Sequence, residues 1–108
     1  MKKSELYDSL QFFIEPHEEF IGSDENIFTP NKDIVIVFWF EGGFQVSGGP
    51  GVLHINFNAQ NYLVLALKEP IDRIIRIPWK RLIAFELQPQ NENQKLKDLL
   101  KVDQIRKN

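Results

Sequence analysis

The chain's two histidines, His17 and His54, are the side chains best suited to acid–base or metal chemistry near neutral pH. His17 lies in the carboxylate-rich segment 15–19, where oxygen and imidazole ligands could hold a divalent cation if several of them converged. The segment lacks the spacing of a calcium loop or of a helical histidine pair, so we predict an acidic loop and no metal site. His54 stands beside Asn56 on the polar face of a predicted strand.

Other catalytic motifs are missing from the sequence. The chain has no cysteine, which excludes thiol nucleophiles, disulfides and zinc sites built on cysteine. None of its serines has the context of a nucleophile elbow, and its paired glycines lead into strands instead of the helix that a phosphate loop requires. We therefore predict that the protein is not an enzyme and has no cofactor. A Ser-His-Asp arrangement assembled in space stays open, which leaves a small enzyme of unknown reaction as the third alternative.

A group of bases around one tryptophan is the best candidate for a ligand-binding surface. Residues 68–81 hold five bases and two acids, and the predicted ligand-binding residues are Arg73, Arg76, Trp79, Lys80 and Arg81. Arginines beside an aromatic platform suit phosphates and stacked bases, and they equally suit an acidic peptide. The alternative is a solvated rim of bases with Trp79 packed in the core.

The hydrophobic pattern predicts the elements that position these residues. Leu6, Leu10 and Phe13 form one helical stripe, although residues 12–14 could instead start a strand, and a short strand is predicted at 19–21. From residue 33 onward, short β-branched and aromatic stretches alternate with tight turns. The prediction is a single domain with four parts: a helix over 4–14, an acidic loop over 15–32, a β meander over 33–89 and a C-terminal helix over 91–107.

The predicted fold is mainly β, a small closed or nearly closed antiparallel barrel of five to six strands with a helix at each end. Closure of such a meander removes exposed strand edges. The strands at 34–40 and 62–67 are apolar on both faces, so their outward residues need cover from the terminal helices or from another subunit. We therefore predict a homo-oligomer whose interface includes Val35, Val37, Trp39, Tyr62 and Val64.

The order of these patterns resembles the Sm-like small β-barrel superfamily. Gly42–Gly48 looks like the turn into the second Sm strand, Phe57-Asn58 stands where Sm proteins usually carry Phe-Asp, and Pro78–Arg81 lies at the tight corner before the last strand. Hfq RNA chaperones, members of this superfamily, carry Tyr-Lys-His at that corner. The resemblance covers about residues 33–89 and implies an RNA-binding ring. Gly49–Gly51 belongs to an insertion relative to that pattern.

Residues 61–90 are also similar to the last strands of the stringent starvation protein B family, adaptors that hand peptide-tagged substrates to the ClpX protease. Ile77-Pro78 and Leu82–Phe85 carry this similarity, which implies peptide binding and a dimer. A pleckstrin-like barrel is the alternative fold. Such domains consist of a β meander followed by a C-terminal helix, and Ile77–Trp79 stands before the predicted last strand in the same order.

These patterns lead to one functional prediction with one main rival. We predict a non-enzymatic binding module, a protein- or peptide-binding adaptor that acts as an oligomer; the rival is an RNA-binding Sm-like ring protein. The partners are then a second copy of the chain and a peptide or protein, with RNA as the alternative. No membrane partner is predicted, because the longest apolar run is far too short to cross a bilayer. The chain starts without the apolar stretch of a signal peptide and lacks cysteine, so a cytoplasmic location is predicted.

Overall fold

Strands dominate the structure, since β-branched and aromatic residues recur between turn residues along most of the chain. The computed structural model describes residues 1–90, and within them the predicted mainly β fold is confirmed. It has one α-helix, two single-turn 3-10 helices (Glu18–Phe20 and Trp79–Arg81) and eight strands. These elements are α1 (Lys3–Leu10), β1 (Ile14–Pro16), β2 (Ile27–Pro30), β3 (Ile34–Phe40), β4 (Phe44–Gly48), β5 (Leu53–Asn56), β6 (Tyr62–Leu67), β7 (Arg73–Pro78) and β8 (Leu82–Pro89).

The strands form two antiparallel sheets. The larger sheet has the order β1-β2-β5-β6-β7, and the smaller has the order β4-β3-β8. Residues 49–52 carry the chain from the smaller sheet to the larger one, and the Trp79–Arg81 turn returns it. β3 is the centre of the smaller sheet, where Phe38 pairs with Val46 on one side and with Phe85 on the other.

The core lies between the inner faces of the two sheets. Helix α1 closes one side of it, since Leu6 and Leu10 are fully buried in the same apolar cluster as the strand residues. Burial of one such side chain is worth roughly 1.5–3 kcal/mol, so the core determines which face of each strand points inward. The inward residues of β3, β5 and β6 are Ile36, Phe38, Phe40, Leu53, Ile55, Leu63, Leu65 and Leu67.

The N-terminal helix is shorter than the predicted helix over 4–14. It ends at Leu10, whose carbonyl accepts a hydrogen bond from the Phe13 amide at 2.7 Å. The chain then extends, and Ile14 begins β1, which agrees with the alternative prediction of a strand starting within residues 12–14. The Phe13 carbonyl accepts the Asn31 amide at 2.9 Å, so pairing with a distant segment ends the helix.

The predicted acidic loop over 15–32 contains more regular structure than expected. Its second half includes β2, which pairs with β1 on one side and with β5 on the other. The strand predicted at 19–21 is wrong, because Glu18–Phe20 forms a 3-10 turn. These pairings are long-range contacts, which a local hydrophobic pattern does not encode.

The predicted closed barrel is not found among residues 1–90. No pairing joins β4 to β5 or β7 to β8 in this part of the chain, and the eight strands, more than the five or six predicted, remain two separate sheets. Pro50 and Pro78 lie at the two passages between the sheets, and proline has no amide hydrogen with which to extend a ladder. The predicted C-terminal helix over 91–107 lies outside the described residues. No helix within residues 1–90 is long and apolar enough to cross a bilayer.

Candidate functional site

The outer face of the larger sheet carries side chains that the core does not use. In β6, Leu63, Leu65 and Leu67 are buried on the inner face, so Val64 and Ala66 point outward. The register places His54 of β5 beside Ala66, and Ala66 beside Ile74 of β7, in one row across the sheet. The neighbouring row runs from Ile27 of β2 through Asn56 and Val64 to Arg76.

The segment 17–25 lies over this face and is anchored at its start. The His17 amide donates to the Ile27 carbonyl at 2.9 Å, immediately after β1 ends. The His17 Nδ1 atom accepts the Glu19 amide at 3.3 Å and so caps the 3-10 turn that follows. The Ser23 side chain then closes the segment, since its hydroxyl donates to the Phe20 carbonyl at 2.8 Å and accepts the Glu25 amide at 3.1 Å.

A pocket of about 310 Å³ lies between this segment and the sheet. The sheet supplies a mostly apolar floor, and the segment supplies a wall with carboxylates at its rim. Lys68, just after β6, adds one positive charge. The lining residues are His17, Glu19, Phe20, Glu25, Ile27, His54, Asn56, Val64, Ala66, Lys68 and Ile74.

His54 is the unusual residue of this pocket. It is only 6 % exposed, and neither of its ring nitrogens has a hydrogen-bond partner. The ring meets that of His17 edge to face, with centroids 4.2 Å apart and planes at 88°. Burial lowers the pKa of His54 below the ordinary value of 6.5; His17 and Lys68 lower it further, and Glu19 opposes them. His54 is therefore neutral at pH 7, with one donor and one acceptor unused.

The lining of the pocket limits the chemistry that His54 can take part in. Both ring nitrogens of His54 are covered, so in this arrangement the ring cannot exchange a proton with a bound molecule. No serine or threonine hydroxyl lines the pocket, so a Ser-His-Asp arrangement does not form there. Within residues 1–90, no three His, Cys, Asp or Glu side chains are grouped to hold a metal ion.

The structure does not bring the predicted ligand-binding residues onto one surface. Trp79 is 7 % exposed and stacks on Phe57 in the core, with ring centroids 6.3 Å apart and planes at 14°. Lys80 and Arg81 are exposed in the same 3-10 turn, and Arg73 and Arg76 are exposed on β7. Arg73 and Arg76 lie three residues apart and so face opposite sides of the strand.

A second, shallower groove lies at the corner formed by the Trp79–Arg81 turn. Its volume is about 500 Å³, and its lining residues are Gln60, Asn61, Tyr62, Pro78, Trp79 and Lys80. The indole nitrogen of Trp79 is buried without a hydrogen-bond partner, while Tyr62 is 47 % exposed beside it. The groove therefore combines an exposed aromatic ring and a lysine, while the indole nitrogen lies beneath its surface.

The predicted interface residues are divided between the two sheets. Val35, Val37 and Trp39 share the outer face of β3, where Val37 is buried and Trp39 is 40 % exposed. Tyr62 and Val64 share the outer face of β6 in the other sheet. Val64 lines the pocket, so the segment 17–25 covers part of the outer face of β6. Terminal helices or a second subunit were predicted to cover that face.

Sequence reasoning missed the pocket although it named both histidines. The available signal was His54 on a polar strand face opposite the doubly apolar strand 62–67, which indicates a covered outer face. That signal does not reveal that the segment around His17 provides the cover. No family model, curated protein or solved structure matches the chain.

Proposed function

We propose that the protein is a non-enzymatic binding module that takes an apolar side chain of a peptide or protein partner into the pocket over the larger sheet. The observation that carries this proposal is the apolar pocket of about 310 Å³ beside a buried histidine with no hydrogen-bond partner. Ligand pockets are typically concave and mostly apolar, with a few polar groups that fix orientation. An adaptor needs such an anchoring pocket and no catalytic group.

The size and charge of the pocket support a side chain of a polypeptide as its occupant. Its volume lies at the lower end of the range for small-molecule sites, about 300–1,000 Å³, which suits one large apolar side chain better than an extended cofactor. Glu19, Glu25 and Lys68 at the rim offer acceptors and a donor to the polar backbone on either side of that side chain. Ile74, exposed on β7, extends the apolar floor beyond the pocket.

N-acetyl amino-acid amides test this proposal, because each presents one side chain flanked by two amides. We expect N-acetyl-leucinamide or N-acetyl-phenylalaninamide to shift the methyl NMR signals of Val64 and Ala66 at millimolar concentration, and N-acetyl-glycinamide to leave them unchanged. Ala66→Trp fills the pocket and should abolish the shift of Val64, the reporter that remains in this variant. Ala84→Trp is the matched control, since Ala84 lies on the other sheet opposite Trp39. Equal shifts with the glycine compound, or none with any of the three, contradict the proposal.

We also propose an Sm-like arrangement of the two sheets and self-association. Two connections between the sheets support this proposal: a glycine-rich bend joins β4 to β5, and the Trp79–Arg81 3-10 turn joins β7 to β8. The half-exposed Trp39 beside Val35 and Val37 offers an apolar face on β3. We expect light scattering to give a mass at least twice 12.7 kDa, and Trp39→Glu to lower it to the monomer value. A monomeric wild-type protein contradicts the self-association.

RNA binding at the corner groove is the second candidate, and the exposed ring of Tyr62 in the same groove as Lys80 favours it. Tyr62 offers a ring on which a base can stack. We expect a hexauridine RNA to bind with an affinity that falls steeply with salt, and Lys80→Ala to weaken it. Lys68→Ala is the control, because Lys68 lies at the other pocket. Absence of salt-dependent binding contradicts this candidate.

A further inference from the structure

We infer that the segment 17–25 is a pH-sensitive lid, which the contact between the rings of His17 and His54 holds closed over the pocket. The inference rests on the proposed function only for its effect on binding. The closed position of the segment itself does not depend on a bound ligand. Acidification below the ordinary titration range of histidine should open the lid and remove one wall of the pocket.

The closed position of the segment disfavours a positive charge on His54. Their centroids are 4.2 Å apart, and both nitrogens of His54 are buried without a partner. A proton added to His54 would create a buried cation with two N–H groups and no acceptor, which is strongly unfavourable. Movement of the segment exposes the ring to water and removes that penalty.

His17 also fixes the start of the segment. Its Nδ1 atom accepts the Glu19 amide at 3.3 Å and so caps the Glu18–Phe20 turn at the point where the segment leaves β1. The same ring contacts His54, so the start of the segment is tied to the floor of the pocket.

The charges around His54 reinforce this effect. The segment presents His17 and Glu19 to the ring, the sheet presents Lys68, and Glu25 completes the rim. Protonated His17 and Lys68 would repel a charged His54, and Glu19 offsets part of that repulsion. The closed form therefore binds fewer protons at His54 than an open form with a solvated ring, so acid favours opening.

The backbone of the segment permits such a movement. It is anchored at its two ends, where the His17 amide donates to Ile27 and the Asn26 amide donates to the Asn58 side chain at 3.1 Å. Between these anchors, residues 18–25 form hydrogen bonds with one another and with His17, and with no other described residue. Opening of the segment therefore breaks no pairing of the larger sheet.

Amide hydrogen exchange tests the lid without a ligand. The reporters are the amides of Phe20, Ile21 and Ser23, whose hydrogen bonds form single turns that do not persist in water once the segment leaves the sheet. The reference amides are those of β5 and β6. After correction for intrinsic rates, we expect protection of the reporters to fall up to about tenfold between pH 7.5 and 5.5, the limit that one titrating group sets. The reference amides should keep their protection.

Two variants attribute the effect to the histidines, which are the only two in the chain. His54→Phe keeps a ring against His17 without a titrating nitrogen, and His17→Asn keeps a side-chain acceptor for the cap. The pH response should vanish in His54→Phe and in the double variant. An unchanged wild-type protection, or the same fall in the double variant, overturns the inference.

A binding measurement separates the lid from the proposed function. If N-acetyl-leucinamide binds at pH 7.5, its affinity should fall at pH 5.5 in the wild type and stay constant in the double variant. If it does not bind at pH 7.5, the proposed function fails while exchange alone decides the inference. If the lid opens with acid and affinity stays unchanged, the regulatory part of the inference is overturned.

Discussion

The Thr29 hydroxyl donates to the Leu53 carbonyl at 3.0 Å and accepts the Gly51 amide at 3.2 Å, so one buried side chain links β2 to the turn between the two sheets. Thr29→Val keeps the shape and removes both hydrogen bonds. We expect the free energy of unfolding, measured in urea, to fall by about 1–3 kcal/mol. Thr29→Ser retains the hydroxyl and should recover most of that stability. An unchanged stability of Thr29→Val would show that the two hydrogen bonds of the hydroxyl do not stabilise the fold.

Gly48 lies where β4 passes closest to β5. A Cβ atom added there would lie 2.7 Å from the Cβ of Leu53 and 3.4 Å from its backbone, so Gly48→Ala forces the two strands apart. We expect a loss of about 1–3 kcal/mol in the free energy of unfolding. Gly49→Ala is the matched control, because its close contact is the end of the Gln90 side chain, which can move. A smaller loss for Gly48→Ala than for Gly49→Ala contradicts this account.

The two tryptophans should differ sharply in their contribution to stability. Trp79 is buried against Phe57, whereas Trp39 is half-exposed on β3. Trp79→Ala should lower the free energy of unfolding by about 3–5 kcal/mol, and Trp79→Phe should retain much of it. Trp39→Ala, measured at a concentration at which the protein is monomeric, should have an effect of about 1 kcal/mol or less. Similar losses for the two alanine variants would contradict the assignment of Trp79 to the core.

Stability should decrease with acid because of His54. Its lowered pKa means that the folded protein binds fewer protons there than the unfolded chain. Its contribution is therefore complete above the ordinary value of 6.5 and is lost as pH falls toward the pKa of the folded state. One histidine limits this slope to about 1.4 kcal/mol per pH unit, measurable by urea unfolding between pH 7.5 and 5.5.

His54→Leu removes that titration together with two unpartnered polar atoms. We expect the free energy of unfolding to rise by about 1 kcal/mol at pH 7.5 and by more at pH 5.5. Asn56→Leu, on the same face of β5, is the control and should keep the wild-type slope with pH. A slope in the His54 variant equal to that of the wild type would show that another group titrates.

Local pattern predicts the strands from residue 34 onward well and the two strands before it poorly. β3 and β6 begin and end at the predicted residues, because their β-branched and aromatic residues favour strands and flanking turn residues stop them. β1 and β2 carry no comparable pattern, since each is only three or four residues long and depends on its pairing partner.

The candidate site was less predictable than the strands for a geometric reason. His17 and His54 come together through the pairing of β2 with β5, a contact between segments far apart in the sequence. The direction of Trp79 also depends on tertiary packing, because a residue in a single 3-10 turn can point to either side of the chain. Sequence identifies such residues by chemical type, while the sheet pairing decides which of them meet.

The pairing of β3 with β8 has a consequence for the order in which the molecule is completed. β4 follows β3 directly in the chain and pairs with one of its edges. The other edge of β3 pairs with β8, the last described strand, where Val37 lies opposite Glu86. On the ribosome, a strand apolar on both faces therefore emerges long before the segment that covers its free edge. Such an edge is a template for pairing with other chains. The smaller sheet thus makes the nascent protein most vulnerable to aggregation in the interval between synthesis of Phe40 and Pro89.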